Sequence, residues 1–426
     1  MTDVRDAGFK SVTRVADARR RLLDAATPHE RTDSVVTADA AGRALATDVT
    51  ATTDVPHYRR AAMDGWAVRA SDTFGAGDRS PAILRADAAG ADSVAPETAV
   101  RVHTGSALPE GADAVVMIEE TDRFGDDVEV FDAVAQGENV SPVGEDVTEG
   151  EHLFDAGHRL RASDLGLLRS TGVRTVEVYD APDIAVIPTG EELVTADPEP
   201  GEVVETNGLT VSRLVEGWGG SARYRDVVTD DRDSLAEAIE RDLDADVVVT
   251  TGGSSVGERD LLPAVVDDLG EVLVHGVALQ PGHPGGLGMV EGTPVVMLPG
   301  YPVACIVNAV QFLRPLLKHV GHLPDAPHPT REARLDRKIR SEVGVRTFVR
   351  VRLSETTDGE AASEDEEASD GDDDTADLPT ATPTRAGGAG VLSSVALSDG
   401  WVVVPESREG VPAGETVTVA DWEFQP

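Results

Sequence analysis

Hydrophobic residues follow two spacings along the middle of the chain. Short β-branched runs, such as those at 184–187 and 247–251, predict strands that are buried on both faces. Between such runs, apolar residues recur every three or four positions, as at Val211 and Leu214, which is typical of amphipathic helices. This regular alternation over 182–324 predicts a doubly wound α/β domain, with a parallel sheet and helices on both faces.

The regions on either side are patterned differently. Apolar residues at helical spacing predict a first helix over 12–26 and a second, short one over 38–45. From 81 to about 140, and again after 325, short apolar runs between turn residues predict β-rich domains, with one such run at 391–397. The predicted domains are a discontinuous N-terminal domain (1–50 and 141–181), an inserted β-rich domain (51–140), the α/β domain (182–324) and a C-terminal β domain (325–426).

Acidic residues outnumber basic ones along the whole chain. Asp and Glu total 78 against 37 Lys and Arg, which gives a formal net charge of −41. This balance predicts a protein adapted to a salt-rich cytoplasm, where screening suppresses self-repulsion. It argues against nucleic-acid binding, which needs a basic face. The densest acidic stretch, 354–378, lacks core-forming residues, so we expect a disordered insert in the C-terminal domain.

The sequence gives no indication of export or of a membrane. The N-terminus lacks the apolar core of a signal peptide, and no run of about 18 apolar residues predicts a membrane span. The single cysteine, Cys305, lies in an apolar context and is expected to be a packed core residue, with no intrachain disulfide possible. We therefore expect a cytoplasmic protein.

Three glycine-bearing turns follow apolar strands in the α/β domain. Because ligands of open α/β sheets bind outside the carboxyl ends of the strands, these turns are expected to build one site, unless all three are only tight connections. The segments are IAVIPTGEEL (184–193), VVVTTGGSSVGERD (247–260) and PVVMLPGYPVA (294–304). Backbone and hydroxyl donors to an anion are predicted at Thr189, Gly190, Gly252, Gly253, Ser255 and Gly300. Carboxylates suited to Mg²⁺, a hard cation, are Glu192, Glu258 and Asp260.

Several motifs stand in the order found in a known family. They are AAMDGWAV (61–68), VHTGSALPEGADAVVMIEE (102–120), GEDV (144–147), PTGEEL (188–193), TTGGSSVGERD (250–260), QPGHP (280–284) and LPGYPV (298–303). On these motifs, which span most of the chain, it resembles the MoeA family, the molybdopterin molybdenumtransferases, which includes the E domain of gephyrin. The resemblance implies an elongated homodimer with four structural regions. In it, the discontinuous N-terminal domain (1–50 and 141–181) is the linker and dimerisation domain, and the MogA-like α/β domain binds molybdopterin.

The resemblance also implies a reaction. Adenylylated molybdopterin is hydrolysed in a Mg²⁺-dependent step, AMP leaves, and molybdate is inserted at the dithiolene. Tungstate fits the same chemistry, since the two tetrahedral oxyanions are close in size and charge. The implied partners are an upstream adenylyltransferase and downstream molybdoenzymes, with neither nucleic acid nor a membrane involved.

Five polar residues match the family's functional ones by position. Asp64, Glu192 and Asp260 are expected to be catalytic, with Mg²⁺ held by the last two. Thr104 and Asp146 are expected to bind substrate, and Pro299 and Pro302 match the family's LPGxP turn. Because Asp64 comes from outside the α/β domain, the expected site is a cleft between that domain and the N-terminal part of a partner subunit.

The chain departs from the family pattern near the expected oxyanion site. The family commonly has lysines in KPGKP, where this chain has Gln280 and His283, and its LPGNPVS is here LPGYPVA. Lysines attract phosphate and molybdate as point charges, so their loss weakens the expected site. Gln280 and His283 stay predicted pocket residues, and the protonation of His283 decides whether it helps to bind anions. Compensation is expected from Arg346, Arg350 and the pair Ser393–Ser394.

Two other functions remain open. A molybdopterin adenylyltransferase shares the α/β domain and its glycine turn, but it needs only that domain, so the flanking regions 1–181 and 325–426 argue against it. A noncatalytic molybdopterin-binding scaffold keeps the fold and loses the lysines. Retention of Asp64, Glu192 and Asp260 favours catalysis, because a scaffold has no need of metal-binding carboxylates.

Overall fold

The computed structural model describes residues 12–88, 90–252, 261–355, 378–384 and 389–424. It contains two compact units: a smaller unit, Asp33–Val178, and a larger unit, Met1–Thr32 with Tyr179–Pro426. The predicted domains divide the chain more finely than these units and stay a prediction. In the described ranges, no helix has both the length and the apolar character that a membrane crossing requires.

The helices are short. A π-helix, Ala309–Leu313, joins two of them, and 3₁₀ turns cover Thr37–Asp39, Ala70–Thr73 and Ile118–Glu120. The α-helices are α1 (Val15–Ala25), α2 (Ala162–Ser170), α3 (Asn207–Gly217), α4 (Arg232–Arg241), α5 (Leu262–Leu269), α6 (Pro302–Asn308), α7 (Arg314–Val320) and α8 (Ser393–Ala396).

The strands fall into three six-stranded sheets and several two-stranded ones. As far as Tyr179 they are β1 (Thr32–Val36), β2 (Val49–Thr50), β3 (Arg60–Ala61), β4 (Gly65–Val68), β5 (Ala82–Ala86), β6 (Thr98–Val102), β7 (Ala114–Met117), β8 (Thr121–Phe124), β9 (Asp127–Val130), β10 (Val140–Ser141), β11 (His152–Phe154) and β12 (Thr175–Tyr179). After it they are β13 (Asp183–Pro188), β14 (Leu193–Val194), β15 (Val203–Val204), β16 (Ser221–Tyr224), β17 (Val247–Thr251), β18 (Glu271–His275), β19 (Leu279–Gln280), β20 (Gly286–Val290), β21 (Thr293–Leu298), β22 (Thr330–Leu335), β23 (Ile339–Arg340), β24 (Arg346–Ser354), β25 (Thr380–Pro383), β26 (Gly400–Val404), β27 (Gly410–Val411) and β28 (Thr416–Ala420).

The α/β sheet has the strand order β16-β13-β17-β21-β20-β18. The first four strands are parallel to their neighbours, and all five residues of β17 are buried, as the apolar run predicts. β20 and β18 run antiparallel, so the prediction of an all-parallel sheet is wrong at this edge. The sequence of β20, GLGMV, carries two glycines, which weaken a strand pattern, and therefore does not predict a strand.

Two predicted elements are wrong. The stretch 38–45 is not an α-helix, because Ala44 and Leu45 instead form isolated bridges to Arg159 and Val178. The stretch 391–397 is not a strand, because it contains the one-turn helix α8. Both are short apolar runs, for which periodicity alone does not distinguish strand from helix.

The C-terminal β domain closes on itself. Its strand order is β19-β24-β25-β22-β28-β26, and β24 also pairs with β26, so five of the strands form a barrel-like ring. β19 joins this sheet in parallel register, with Gln280 opposite Thr347. The α/β domain therefore contributes a strand to the C-terminal sheet. Most of the predicted acidic insert, 356–377, lies outside the described residues.

The smaller unit is β-rich, as predicted. Its largest sheet has the order β7-β4-β6-β5-β9-β8, and Trp66, Leu84 and Val128 are buried in its core. A second apolar cluster includes Leu45, Leu160 and Leu168, where α2 packs.

Candidate functional site

Three predicted turns lie at one edge of the α/β sheet. β13, β17 and β21 are adjacent and parallel, with Pro188 opposite Thr251 and Thr251 opposite Leu298. Their carboxyl ends therefore meet, which is where open α/β sheets bind ligands. The turns at Thr189–Gly190, Gly252 and Pro299–Gly300 extend from these ends.

Backbone hydrogen bonds tie the turns together. The amide of Thr189 donates to the Thr251 carbonyl at 3.0 Å, that of Gly190 to Val228 at 3.1 Å, and that of Gly252 to Leu298 at 3.1 Å. The prediction that these three amides donate to an anion is therefore wrong, because they already donate to carbonyls. The amide of Gly300 makes no hydrogen bond with a described residue and keeps its predicted role.

Gly252 is needed for close backbone approach. Its φ of +117° lies in a region that L side chains rarely adopt, and a Cβ there would come within 2.1 Å of the Thr189 carbonyl oxygen. The glycine thus lets the first and second turns cross. Four predicted residues of the second turn, Gly253, Ser255, Glu258 and Asp260, lie outside the described residues.

Three threonine hydroxyls at this edge are buried without a partner. The Oγ1 atoms of Thr189, Thr250 and Thr251 make no hydrogen bond in the described part of the chain, and each residue is at most 2% exposed. Buried hydroxyls nearly always have a partner, so such atoms need an explanation. A bound polar group or ordered water supplies one, and Thr189 keeps its predicted role as a hydroxyl donor.

Glu192 follows the first turn and is exposed. Its backbone carbonyl accepts from the amide of Val203 at 2.8 Å, which fixes the main chain. Its carboxylate has no hydrogen bond or ion pair with any described residue. The carboxylate is therefore available to a ligand.

The third turn contacts a loop of the C-terminal domain. Pro299 is buried, and Pro302 starts α6 at a position where proline is favoured. The amide of Val303 donates to Ala389 at 3.0 Å, and the ring of Tyr301 approaches Gly390. This contact brings the loop that carries Ser394 to the sheet edge.

Arg350 of β24 is buried beside Ser394. Its Nη2 donates to the Ser394 Oγ at 3.3 Å, so two of the residues expected to compensate for the missing lysines are in contact. Arg350 has no carboxylate within ion-pair distance among the described residues, and its buried Nε has no partner. Burial lowers the pKa of this guanidinium, which nevertheless stays charged. A buried cation without a counter-ion is costly, so the arrangement suits an oxyanion that binds here.

The QPGHP loop is held against α6. The amide nitrogen of Asn308 donates to the carbonyls of Gly282 and Ala304, both at 2.9 Å. Gln280 is exposed, whereas His283 is half-buried, and burial lowers the pKa of its imidazole. His283 is therefore neutral at neutral pH and does not replace the charge of a lysine.

Three polar residues of this edge were not predicted as site residues. Glu205 is buried and accepts from the Gly208 amide at 2.6 Å and from the Tyr224 hydroxyl. Burial raises the pKa of Tyr224, and the hydrogen bond to the Glu205 carboxylate raises it further. Asn207 donates to the Gly300 carbonyl at 2.8 Å. The sequence ETNG predicts only a helix start capped by Thr206 or Asn207, yet Glu205 makes the capping hydrogen bond.

The remaining predicted residues belong to the smaller unit. Asp64 Oδ1 accepts from the Thr104 amide at 2.7 Å and from the Thr104 hydroxyl at 2.8 Å. These hydrogen bonds, with a weaker one from His103, lower the pKa of Asp64 to about 2. Asp146 lies on another turn, where its amide donates to Val55 at 2.9 Å and its side chain is exposed. The structure thus pairs Asp64 with Thr104.

A Mg²⁺ ion fits the donor chemistry of Glu192. Mg²⁺ is usually held by one or two carboxylates, with substrate phosphates and water completing its shell. Within the described ranges Glu192 belongs to no cluster of three potential metal ligands; such a cluster is Asp48, His152 and Asp155, all exposed. If Glu192 is the one described carboxylate that binds Mg²⁺, substrate and water must supply the remaining ligands of the ion.

Comparisons with known proteins match the whole architecture. A family model for the MoeA N-terminal region (domain I and II) matches residues 13–172, one for a probable molybdopterin binding domain matches 185–319, and one for the MoeA C-terminal region (domain IV) matches 372–422. A putative molybdopterin biosynthesis protein of Methanocaldococcus jannaschii is 36% identical over 392 residues, 89% of this chain and 90% of that protein.

Two further relatives agree. A molybdopterin molybdenumtransferase of Bacillus subtilis is 32% identical over 91% of this chain and 89% of its own length. The crystal structure of a MoeA molybdopterin biosynthesis protein from Pyrococcus horikoshii has a TM-score of 0.78 and 30% identity, covering 96% of this chain and 99% of that one. The resemblance seen in the sequence is confirmed, and the chain belongs to the MoeA family, whose members include the molybdopterin molybdenumtransferases.

Proposed function

We propose that this chain inserts molybdate, or tungstate, into adenylylated molybdopterin, with Mg²⁺-dependent release of AMP. Family membership supports the general reaction, a step of molybdenum cofactor biosynthesis. The single observation that carries the finer proposal is Arg350, a buried guanidinium that touches Ser394 and has no carboxylate partner among the described residues. Such a group favours a bound oxyanion, because the anion supplies the missing counter-charge.

The proposed roles follow from the contacts. Arg350 and Ser394 bind the oxyanion, while the Gly300 amide and the Thr189 hydroxyl donate to the phosphates. The exposed Gln280 is a further proposed substrate contact, and the neutral His283 contributes hydrogen bonds without charge. The backbone of Gly190, Gly252 and the Pro299–Pro302 turn holds these donors in place.

Glu192 is the proposed catalytic carboxylate of the larger unit, together with Asp260. Water attacks the AMP phosphorus, and the phosphoanhydride bond to the pterin phosphate breaks. Glu192 and Asp260 would hold a Mg²⁺ ion, which would supply positive charge to stabilise the phosphate oxygens. Asp64, held ionised by Thr104, is the proposed polar contact from the smaller unit, with Asp146 as a further substrate-binding residue.

The proposal includes partners. We propose a homodimer that receives adenylylated molybdopterin from an adenylyltransferase and delivers the metal-loaded pterin to molybdoenzymes. Size-exclusion chromatography with light scattering tests the dimer. A monomer at every salt concentration would contradict it.

The reaction is tested by AMP release from adenylylated molybdopterin in high-salt buffer with Mg²⁺, with and without molybdate or tungstate. We expect oxyanion-dependent AMP release and metal-loaded pterin as the product. Tight pterin binding without AMP release under any condition contradicts the proposal. It would instead favour the scaffold function, which the absence of lysines at Gln280 and His283 makes the second candidate.

A further inference from the structure

A cleft in the larger unit lies between helices α1 and α7 and the face of the C-terminal barrel. Its volume is about 450 Å³, within the range of roughly 300–1,000 Å³ that is usual for small-molecule sites. Val403, which is 40% exposed, and the exposed Pro327 give the cleft apolar surface, while the lining rings of Phe348 and Trp401 are each only 2% exposed. The cleft shares no residue with the set of donors and carboxylates at the edge of the α/β sheet.

Three arginines line this cleft together with a single carboxylate, Asp325. Arg314 is buried, and its Nη1 donates to Asp325 at 2.6 Å while its Nε has no partner. Arg346 is paired with Glu406 at 3.2 Å, and it lines this cleft. The expected compensation by Arg346 at the oxyanion site stays a prediction, since in the structure Arg346 lines this separate cleft.

Arg19 has no counter-ion. Its Nε and Nη2 donate to Gln311, at 3.1 and 3.3 Å, and it forms no ion pair with any described residue. Burial lowers its pKa, Asp325 raises it, and the positive charges of Arg346 and Arg314 lower it further. In a chain of net charge −41, where acidic partners are abundant, a half-buried arginine without one indicates a place for an anion from outside.

His328 adds a neutral polar group to the same wall. Its buried Nδ1 has no hydrogen-bond partner among the described residues. Burial, followed by the Arg314 charge, lowers the pKa of His328 to about 4, although the Asp325 charge acts in the opposite direction. The charge of Asp421 also acts on His328, although Asp421 does not line the cleft. Near neutral pH the imidazole is uncharged, so the arginines carry the positive charge of the cleft.

We propose that this cleft binds a small organic oxyanion, a carboxylate or phosphate ester attached to an aromatic or other apolar body. The anionic group lies between Arg19 and Arg346, because planar guanidinium groups match carboxylate and phosphate oxygens in pairs. The apolar body packs against the exposed side chains of Val403 and Pro327. The site is separate from the proposed molybdenum insertion and does not depend on it.

The test is isothermal titration calorimetry of the full chain with phenyl phosphate and with phenylacetate, at one fixed KCl concentration. Benzyl alcohol serves as the uncharged ligand. We expect saturable 1:1 binding of at least one anion, no binding of the alcohol, and about tenfold or greater loss of affinity in Arg19→Gln, the effect of removing a charge-assisted contact. Arg21→Gln, an exposed change on the same helix, leaves the affinity unchanged.

The two anions identify the head group. Binding of phenyl phosphate alone assigns a phosphate ester, and binding of phenylacetate alone assigns a carboxylate. Arg346→Gln carries the same prediction as Arg19→Gln, and thermal unfolding of each variant confirms that it is folded. The proposal is overturned if neither anion saturates the wild-type protein, or if folded variants at both arginines bind as tightly as the wild type.

Discussion

The two units hold their proposed catalytic carboxylates in opposite ways. In the smaller unit, Asp64 is tied by the amide and hydroxyl of Thr104. In the larger unit the backbone turns are tied to one another, whereas the carboxylate of Glu192 has no partner among the described residues. A carboxylate that accepts hydrogen bonds from the protein, such as that of Asp64, is held in position and stays ionised. A carboxylate without such bonds, carried by a hydrogen-bonded backbone, is well placed to bind a ligand, since binding breaks no existing hydrogen bond.

The largest expected effect on stability comes from disrupting the close approach of the backbone turns in the larger unit. Gly252→Ala places a Cβ within 2.1 Å of the Thr189 carbonyl oxygen and forces alanine to a φ of +117°. We expect a loss of roughly 2–4 kcal/mol in the free energy of unfolding, since conformational strain of ~1–3 kcal/mol adds to a backbone clash. Denaturant unfolding measures it.

Gly292→Ala is the matched control for this prediction. Gly292 has a φ of +90°, but a Cβ there meets nothing within 4 Å. It therefore reports the conformational penalty alone, about 1 kcal/mol. Equal losses in the two variants would show that the crossing of the turns does not require glycine.

The next effect concerns the buried cation. Arg350→Met removes a guanidinium that has no counter-ion in the described part of the chain and fills its space with an apolar side chain. We expect an unchanged or higher unfolding midpoint, because burying an unpaired charge is unfavourable. Molybdate affinity, measured by calorimetry, falls by about tenfold or more when a charge-assisted contact is lost.

Arg352→Met provides the comparison for Arg350→Met. Arg352 lies on the same strand but is exposed, and its Nε donates to the Leu397 carbonyl at 2.7 Å. This change should leave molybdate affinity unaltered. Equal affinities for wild type and Arg350→Met would remove Arg350 from the oxyanion site.

The smallest expected effect is on the pKa of Asp64, when one of its hydrogen-bond donors is removed. Thr104→Val removes the hydroxyl donor but keeps the amide, so the pKa of Asp64 should rise from about 2 part of the way towards 3.8. Because the native pKa lies below the ordinary value, the contribution of Asp64 to stability is present above pH 3.8 and is lost as the pH falls through about 2. Carboxyl NMR titration measures the shift.

Thr104→Ser keeps the hydroxyl and should keep the pKa near that of the wild type. A pKa unchanged in Thr104→Val would mean that the amide alone fixes Asp64. The difference between the hydrogen-bonded Asp64 and the unpartnered Glu192 carboxylate would then depend only on backbone hydrogen bonds.

The sequence predicts the sheet edge well because its signals are local. Apolar runs that end in glycine or proline predict three strands and their turns. Because these strands are adjacent and parallel, their turns meet at one edge of the sheet. The antiparallel strand β20 is missed because its two glycines hide the strand pattern. The short helix α8 is missed because a few apolar residues are compatible with either element.

The hydrogen-bond partners of the site are not predictable in the same way. The local sequence TTGG does not indicate that the Gly252 amide donates to the carbonyl of Leu298, 46 positions later in the chain, and not to a ligand. Likewise Glu205 and Asn207 read as the start of a helix, although one is buried against Tyr224 and the other holds Gly300. Such roles depend on long-range packing, and so does the contact between Arg350 and Ser394, which the sequence names as candidates without pairing them.

The most direct test of the account is single-turnover AMP release by Glu192→Gln, with binding of adenylylated molybdopterin measured separately. Glu191→Gln is the control, since Glu191 is the exposed neighbour of Glu192. If the free carboxylate acts in the reaction, Glu192→Gln binds the substrate and releases AMP about 10²-fold more slowly, the order of loss found when one transition-state contact is removed, while Glu191→Gln behaves as the wild type. Wild-type AMP release by a folded Glu192→Gln variant would contradict the central claim.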